Sequence, residues 1–286
     1  MHPTISFALL SLLFAGINDV TFKYYSRKKR SKGMYVFGIG IVWTVLQAIT
    51  FRIQGTTLLI DQNTLLFGLV SGGFLTISNI LLIESLTYID VSFGSTIYRL
   101  NTIGVIALSA LFLREPLTLL KSLGIICGII GVSLLYHKQH NNNSNNTTFT
   151  ISFAIAVIAS LARAAYGVTA KAGISQNADQ NTMLILFSSS WVIGGVCYAK
   201  LREKRFRLTT KKVLYSLLSG TLVYFIVNFL MLAIQHGEAS IAIPVANSSF
   251  VIALFLSMVL KIEALTPRKL CAISCAVVSI ILLSQA

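Results

Sequence analysis

One stretch of the chain occurs twice, and this repetition constrains the fold more than any other feature. Residues 113–135 read LREPLTLLKSLGIICGIIGVSLL, and 148 positions later residues 261–283 read KIEALTPRKLCAISCAVVSIILL. The same shift, without a gap, continues to produce matches far upstream. So many matches in one register indicate an internal duplication. Residues that coincide include Glu115 with Glu263, Thr118 with Thr266, Lys121 with Lys269, Lys23 with Lys171, and the chain's two tryptophans, Trp43 with Trp191.

The amino-acid composition is that of a membrane protein. Of the 286 residues, 55% are hydrophobic and 11% are charged, whereas soluble domains carry about 25% charged residues. The formal net charge is +14, and most of the basic residues fall in two clusters, RKKRSK at 27–32 and KLREKRFRLTTKK at 200–212. Because both clusters lie in short loops between apolar runs, membrane orientation accounts for them, and no nucleic-acid partner is expected.

Ten apolar runs are long enough to cross a bilayer, which takes about 20 mostly apolar residues. The sequence therefore predicts an all-α membrane protein with ten transmembrane helices, five in each of two halves, 1–136 and 149–286. The Asn-rich linker 137–148 between the halves cannot build a core. The first run lacks a preceding basic segment and a cleavage site, so we expect a retained helix and not a signal peptide. The predicted helices span 4–25, 34–51, 64–85, 92–113, 117–136, 149–170, 181–199, 212–235, 240–260 and 267–284.

The odd number of helices in each half has a topological consequence. After five crossings the chain enters the membrane from the opposite side, so the second half is inserted upside down relative to the first. Many secondary transporters are built from inverted repeats of this kind, which rearrange around a central site that opens to one side and then to the other. The duplication therefore favours a transporter.

Each half carries a Glu-Leu-Thr-like break between its fourth and fifth helices. The segment FAGINDVTFK at 14–23 combines small residues, an aromatic residue and a terminal lysine in helix 1. With ten spans arranged as five plus five, the whole chain resembles the EamA-type transporters of the drug/metabolite transporter superfamily. This resemblance implies a non-enzymatic transporter in which helices 1, 3, 4, 6, 8 and 9 line the cavity. Two features depart from the family pattern: helix 9 has Pro244 where helix 4 has Thr96, and the first basic loop follows helix 1 instead of helix 2.

The orientation in the membrane is indicated by two signals that disagree. Loops on one side hold 17 Lys and Arg residues, and loops on the other side hold four. The positive-inside rule places the 17 in the cytoplasm and both termini outside, whereas the family resemblance implies that both termini lie inside. We give the charge distribution more weight. We predict a multi-pass protein of a bacterial plasma membrane, as a monomer or a homodimer.

Polar side chains at membrane depth indicate where a cavity lies, because they are costly in lipid. Arg163 lies near the middle of predicted helix 6 and Arg99 lies within predicted helix 4, and an arginine cannot lose its charge. Predicted helix 8 carries a polar stripe at spacings of three and four residues. The predicted substrate-binding residues are Asn18, Asn79, Tyr98, Arg99, Arg163, Tyr166, Tyr224, Asn228 and Asn247, and the acidic candidates for proton coupling are Asp19 and Glu84.

Structural roles stay open for several of these residues. Asp19 could form a local ion pair with Lys23, which lies four residues further on. Glu84 could lie at the membrane interface, and the arginines could be neutralised by Asp19 and Glu84. The tyrosines could pack inside the bundle, and the matched tryptophans favour packing over contact with substrate. Glu115 and Glu263 are expected to cap the helix that follows each of them, outside the site.

The sequence lacks the motifs of common ATP-driven and metal-dependent proteins, which favours transport over catalysis. The sequence has no GxxxxGK[ST] loop, so energy would come from a gradient or from exchange. It has no HExxH motif, and the four cysteines fit packing better than a metal site, so we expect no metal and no cofactor. We predict a secondary transporter of a small polar or amphipathic metabolite. An arginine-bearing cavity suits a carboxylate or phosphate, as in an amino acid, an organic acid or a nucleotide sugar. The alternatives are a non-transporting or lipid-handling subunit of the same fold, and a nucleotide-sugar or sugar-phosphate antiporter.

Overall fold

The computed structural model is a bundle of helices. It describes residues 3–26, 30–55, 58–85, 98, 101–135, 146–204, 209–249, 252, 255–256, 259 and 267–285. Within these residues, six helices are long and apolar enough to cross a membrane, and the chain is a multi-pass integral membrane protein. The helices are α1 (Pro3–Ser26), α2 (Lys32–Gln54), α3 (Gln62–Ser85), α4 (Asn101–Leu108), α5 (Leu119–Leu135), α6 (Asn146–Ser175), α7 (Gln180–Tyr198), α8 (Thr210–His236), α9 (Ala239–Asn247) and α10 (Pro267–Ser284).

Two helix boundaries differ clearly from the predicted ones. α6 begins at Asn146, inside the segment predicted as a linker, because Asn and Thr are well tolerated where a helix starts. α9 ends at Asn247, whereas the prediction ran to residue 260. Beyond the turn at 248–249, the described residues 252, 255, 256 and 259 are again helical. Pro244 supplies no backbone N–H to this helix, and the chain turns one residue after Asn247. Of the predicted helix 92–113, residues 92–97 and 99–100 lie outside the described residues.

Local sequence signals explain where the central helices start and stop. Ser31 begins α2, and its hydroxyl oxygen accepts a hydrogen bond from the Met34 N–H at 3.2 Å. Gly55 ends the same helix with φ 62°, a left-handed conformation that glycine adopts without strain. Asp179 begins α7, and its carboxylate accepts from the Thr182 N–H at 2.7 Å. Both helices are thus defined by side-chain caps and not by their apolar pattern alone.

Helices α2 and α7 hold equivalent positions in the two halves and cross each other in backbone contact. A Cβ added at Gly33 would lie 2.5 Å from the Ala199 nitrogen, and one added at Gly40 would lie 2.7 Å from the Val192 nitrogen. Along this contact the residue number rises in α2 as it falls in α7, so the two helices run antiparallel. Small residues allow this close approach, which is how helices attract one another in lipid.

The matched tryptophans lie at this crossing. Trp43 and Trp191 are buried and pack edge-to-face, with their ring centroids 6.0 Å apart. Equivalent residues of the two repeats therefore meet where α2 and α7 cross.

The other described helices pack in pairs that are equivalent between the two halves. α1 packs on α8 as α6 packs on α3, α2 packs on α8 as α7 packs on α3, and α5 and α10 pack on each other. Single contacts are repeated as well. A Cβ on Gly16 would press against Ile252. The equivalent positions are Ala164 and Gly104, and a Cβ on Gly104 would press against Ala164. The two halves therefore share one packing scheme.

The connections between helices lie at two opposite ends of the bundle. At one end, the start of α1 meets the α8–α9 turn, where Thr4 touches Gly237. The Lys171 ammonium of α6 reaches the same turn and donates to the Gly237 carbonyl at 2.7 Å. We call this the terminal end. The opposite end, which carries Lys32 at the start of α2 and Lys200 after α7, is called the basic end.

Candidate functional site

A cavity of ≈ 80 Å³ lies between the two halves. Residues of α1, α3, α6, α7, α8 and α9 form its wall, together with Tyr98 and Ser249. A buried water needs about 10–15 Å³ of such volume, so the cavity has room for a few waters. Sites for small organic ligands are about 300–1,000 Å³. The cavity is therefore several times smaller than a typical site for a small organic ligand.

Many of the residues predicted for the site meet in this cavity. They come from helices that lie far apart in the sequence and are joined by the packing of one half on the other. Within the described part of the chain, no group of three His, Cys, Asp or Glu side chains is placed to hold a metal ion. The predicted residues that line the cavity are Asn18, Asp19, Asn79, Tyr98, Arg163 and Asn247.

Arg163 brings a fixed positive charge to the cavity wall. Its guanidinium carbon lies 5.1 Å from the ring centroid of Tyr166, close enough for a cation–π contact. Among the described residues, no hydrogen bond or ion pair engages the Arg163 side chain. Tyr166 does not line the cavity, since it is fully buried and packs edge-to-face on Phe187 with the ring centroids 5.5 Å apart. The ring of Tyr166 therefore contacts the Arg163 guanidinium without itself lining the cavity.

This arrangement predicts opposite results for two substitutions of Tyr166. Its hydroxyl is buried and has no hydrogen-bond partner among the described residues, which costs about 1–3 kcal/mol. Tyr166→Phe keeps the ring under the guanidinium and removes the unpaired hydroxyl. The thermal unfolding midpoint should therefore stay the same or rise. The dissociation constant of a ligand bound in the cavity should not change. Tyr166→Leu removes the ring and should raise the dissociation constant about tenfold. Weaker binding in Tyr166→Phe would show instead that the hydroxyl contacts the ligand.

Two buried polar atoms of the cavity wall also lack a hydrogen-bond partner among the described residues. Asn18 Oδ1 and Trp191 Nε1 make no hydrogen bond to any described residue, although Asn18 is only 5% exposed and Trp191 only 2%. Leaving a buried polar atom unpaired is costly, and water or a ligand is the usual partner where the protein supplies none. Sequence reasoning assigned Trp191 to packing. It packs on Trp43 and it also lines the cavity.

An amide pair joins the two halves beside the cavity. The Asn247 side-chain nitrogen in α9 donates a hydrogen bond to Asn101 Oδ1 in α4. Asn101 is fully buried, and its own side-chain nitrogen has no partner among the described residues. Asn101 was not predicted. The available signal in the sequence was an asparagine inside the apolar run 92–113.

Two of the predicted residues on α8 face another helix. The Asn228 and Gln47 side chains exchange amide hydrogen bonds of 3.0 and 3.4 Å. The Tyr224 hydroxyl lies 2.6 Å from the hydroxyl of Thr50. These contacts fasten α8 to α2. The face of α8 that lines the cavity is apolar instead, and consists of Val223, Ile226, Val227 and Leu230.

The remaining candidates lie away from the cavity or outside the described residues. Glu84 does not line the cavity. It pairs with the Lys32 ammonium at 2.7 Å and accepts a hydrogen bond from the Tyr198 hydroxyl at the basic end. Arg99 lies outside the described residues, and so does the side chain of Lys23. Asp19 is therefore the predicted acid that the structure places at the cavity.

Comparisons with known proteins agree with this architecture. A protein of known crystal structure superposes on 99% of this chain and 96% of its own, with a TM-score of 0.82 at 12% sequence identity, which shows a shared fold. An uncharacterized protein of Methanocaldococcus jannaschii is 30% identical over 138 residues, which cover 47% of this chain and 97% of the relative. That relative is thus about as long as one half of this chain. The model of the EamA-like transporter family matches residues 2–137 and again residues 150–285. The chain therefore belongs to the EamA-like transporter family.

Proposed function

We propose that this protein is a secondary transporter that moves a small polar or amphipathic metabolite by alternating access. In this proposal ten helices span the membrane as two inverted five-helix halves, and the cavity between them opens to one side and then to the other. The antiparallel crossing of α2 and α7 supports the inversion. The small volume of the cavity supports a cycle in which binding requires the halves to separate.

The observation that carries the proposal is the position of Arg163. Its charge lies in the wall of a cavity formed by both halves, and within the described residues it has only the ring of Tyr166 as a partner. A charge at membrane depth is costly and marks a substrate or ion pathway more often than a structural position. A guanidinium binds carboxylate and phosphate oxygens through paired hydrogen bonds. We infer a substrate that carries such a group, for example an amino acid or an organic acid.

Coupling to protons would involve Asp19. It is the acidic side chain at the cavity wall, whereas Glu84 is engaged at the basic end. We place the protein in a bacterial plasma membrane with the basic end in the cytoplasm, because Lys and Arg are enriched in cytoplasmic loops.

The test of this function needs purified protein and two assays. A thermal-shift screen against amino acids, organic acids and nucleotide sugars should reveal a ligand, because binding to the folded state raises its apparent stability. That ligand should then exchange across proteoliposome membranes in a counterflow assay. Stabilisation by a ligand without counterflow would contradict transport. Stabilisation by phospholipids alone would favour the lipid-handling alternative.

A further inference from the structure

A carboxylate from the second half caps a helix of the first half at the basic end. Glu203 ends the π-helical turn Ala199–Glu203 that follows α7. One of its oxygens accepts from the Lys32 and Gly33 N–H groups at 2.6 and 3.3 Å, and the other accepts from the Ser31 hydroxyl. The first N–H groups of a helix have no partner within that helix, and a negative charge there is favourable. Glu203 therefore fastens the start of α2 to the end of α7.

A second contact at the same end joins the same halves. The Glu84 carboxylate at the end of α3 pairs with Lys32 of its own half and with the Tyr198 hydroxyl of α7. Together, Glu203 and Glu84 bind the first half to α7 at the basic end. We call this set of contacts the basic-end clamp.

The terminal end has a clamp of the same construction. Glu115 follows the π-helical turn Ser109–Leu113 at the end of α4. Its two oxygens accept from the Ala239 and Ser240 N–H groups at 2.9 and 3.0 Å, so a carboxylate of the first half caps α9 of the second. Sequence reasoning expected Glu115 to cap the helix that follows it. Thr118 does that instead, because its hydroxyl accepts from the N–H of Lys121.

An ion pair completes this terminal-end clamp. The Lys121 ammonium of α5 pairs with the Glu238 carboxylate in the α8–α9 turn. The Lys121 side chain is 1% exposed and also donates to the Pro116 carbonyl at 2.9 Å. The start of α9 is thus held by two charged side chains of the first half.

Each clamp holds a helix that also forms the cavity wall. In α9, Asn247 lines the cavity two turns beyond the residues that Glu115 caps. In α3, Leu82 lines the cavity two residues before Glu84, and in α7 Trp191 lies two turns before Tyr198. Releasing one clamp would allow the cavity wall to separate at that end while the other end stays joined. With both clamps formed, the cavity is only ≈ 80 Å³.

We infer that the two clamps are the gates of this transporter, and that they open in alternation. This inference rests on the proposed function, because it assigns the two ends of the alternating-access cycle to particular contacts. Glu115 closes the terminal end and Glu203 closes the basic end. Each gate consists of charge-assisted hydrogen bonds to helix N–H groups, which water can replace when the gate opens.

The test measures access to the cavity from each face and needs no substrate. The reporter is Asn79→Cys, in protein reconstituted in liposomes and treated with a membrane-impermeant maleimide on one face at a time. Gln176→Cys, an exposed position at the terminal end, identifies which face is which. The native cysteines to be replaced in this background are Cys127, Cys197, Cys271 and Cys275.

The two gates should respond in opposite directions. Glu115→Ala should raise the labelling rate from the terminal-end face about tenfold, because a cap of this kind shifts an equilibrium by about that factor. Glu203→Ala should raise the rate from the basic-end face by a similar factor. Asp61→Ala is the matched control, since Asp61 caps α3 within its own half through the Thr64 N–H at 3.3 Å. It should leave both rates unchanged.

A locked variant covers the case in which a gate variant fails to fold. Lys121→Cys combined with Glu238→Cys, joined by a short bismaleimide, should stop labelling from the terminal-end face and preserve it from the basic-end face. The inference is overturned if Glu115→Ala and Glu203→Ala act on the same face, or act no more than Asp61→Ala. Such a result would leave the proposed function standing. Normal gating without any counterflow would contradict the proposed function alone.

Discussion

Arg163→Ala should lower uptake of the ligand found by thermal-shift screening about a hundredfold in proteoliposomes. The guanidinium lines the cavity and is held against Tyr166, so it is available to a carboxylate or phosphate of the substrate. Losing one partner of a buried, hydrogen-bonded charge pair costs about 2–5 kcal/mol, and each 1.4 kcal/mol is about a tenfold change in affinity. Stability should change in the other direction. Removing a charge from membrane depth relieves a cost, so the thermal unfolding midpoint should stay constant or rise.

Two further variants make this prediction specific. Arg52→Ala removes an exposed arginine from the last turn of α2 and should leave uptake unchanged. Arg163→Lys keeps the charge and loses the planar fork of donors, so its uptake should lie between wild type and Arg163→Ala. Full uptake by Arg163→Ala would remove this residue from the transport pathway. A lower unfolding midpoint in Arg163→Ala would indicate that the guanidinium serves the fold instead.

Gly40→Ala should destabilise the bundle by about 2 kcal/mol, the usual cost of overpacking a tight interface. The new Cβ would lie 2.7 Å from the Val192 nitrogen and 3.0 Å from the Trp191 carbonyl carbon. These are backbone atoms, so α2 and α7 would have to separate where they cross. Thermal unfolding in detergent should show the loss as a clearly lower midpoint.

Gly73→Ala is the matched control for this prediction. Gly73 also lies inside a membrane-spanning helix, but a Cβ there meets no described atom within 4 Å. Alanine favours a helix over glycine by about 0.5–1 kcal/mol, so the midpoint should stay constant or rise. Equal effects of Gly40→Ala and Gly73→Ala would show that the α2–α7 crossing is not a tight contact.

The repetition in the sequence predicted the two-repeat organisation because each match fixes a pair of equivalent positions. Trp43 and Trp191 are such a pair, and their contact could be anticipated only once the halves were known to meet at their equivalent helices. The break after Asn247 within the predicted helix 240–260 was missed because a continuous apolar run does not show whether a proline such as Pro244 bends a helix or ends it. Apolar pattern therefore predicts that a helix exists better than it predicts where it ends.

The candidate site was predictable where a helix has a single polar face. Arg163, Asn18 and Asn79 lie on helices whose polar residues face the other half, and all three side chains line the cavity. α8 has a polar stripe as well, but Tyr224 and Asn228 use it to bind α2. Spacing along one helix cannot tell which neighbour covers a face. The clamp formed by Glu115 was missed for the same reason, since its partners lie more than 120 residues away.

Sided labelling of two equivalent positions tests the inversion of the halves most directly. Asp61 and Thr209 are exposed, lie outside the helices and are 148 residues apart, one before α3 and one before α8. Single cysteines introduced as Asp61→Cys and Thr209→Cys in the cysteine-free background should react with an impermeant maleimide from opposite faces of the membrane. Reaction of both from the same face would mean that the chain crosses the membrane an even number of times between them. The two halves would then be parallel, and an inverted-repeat transporter would be excluded.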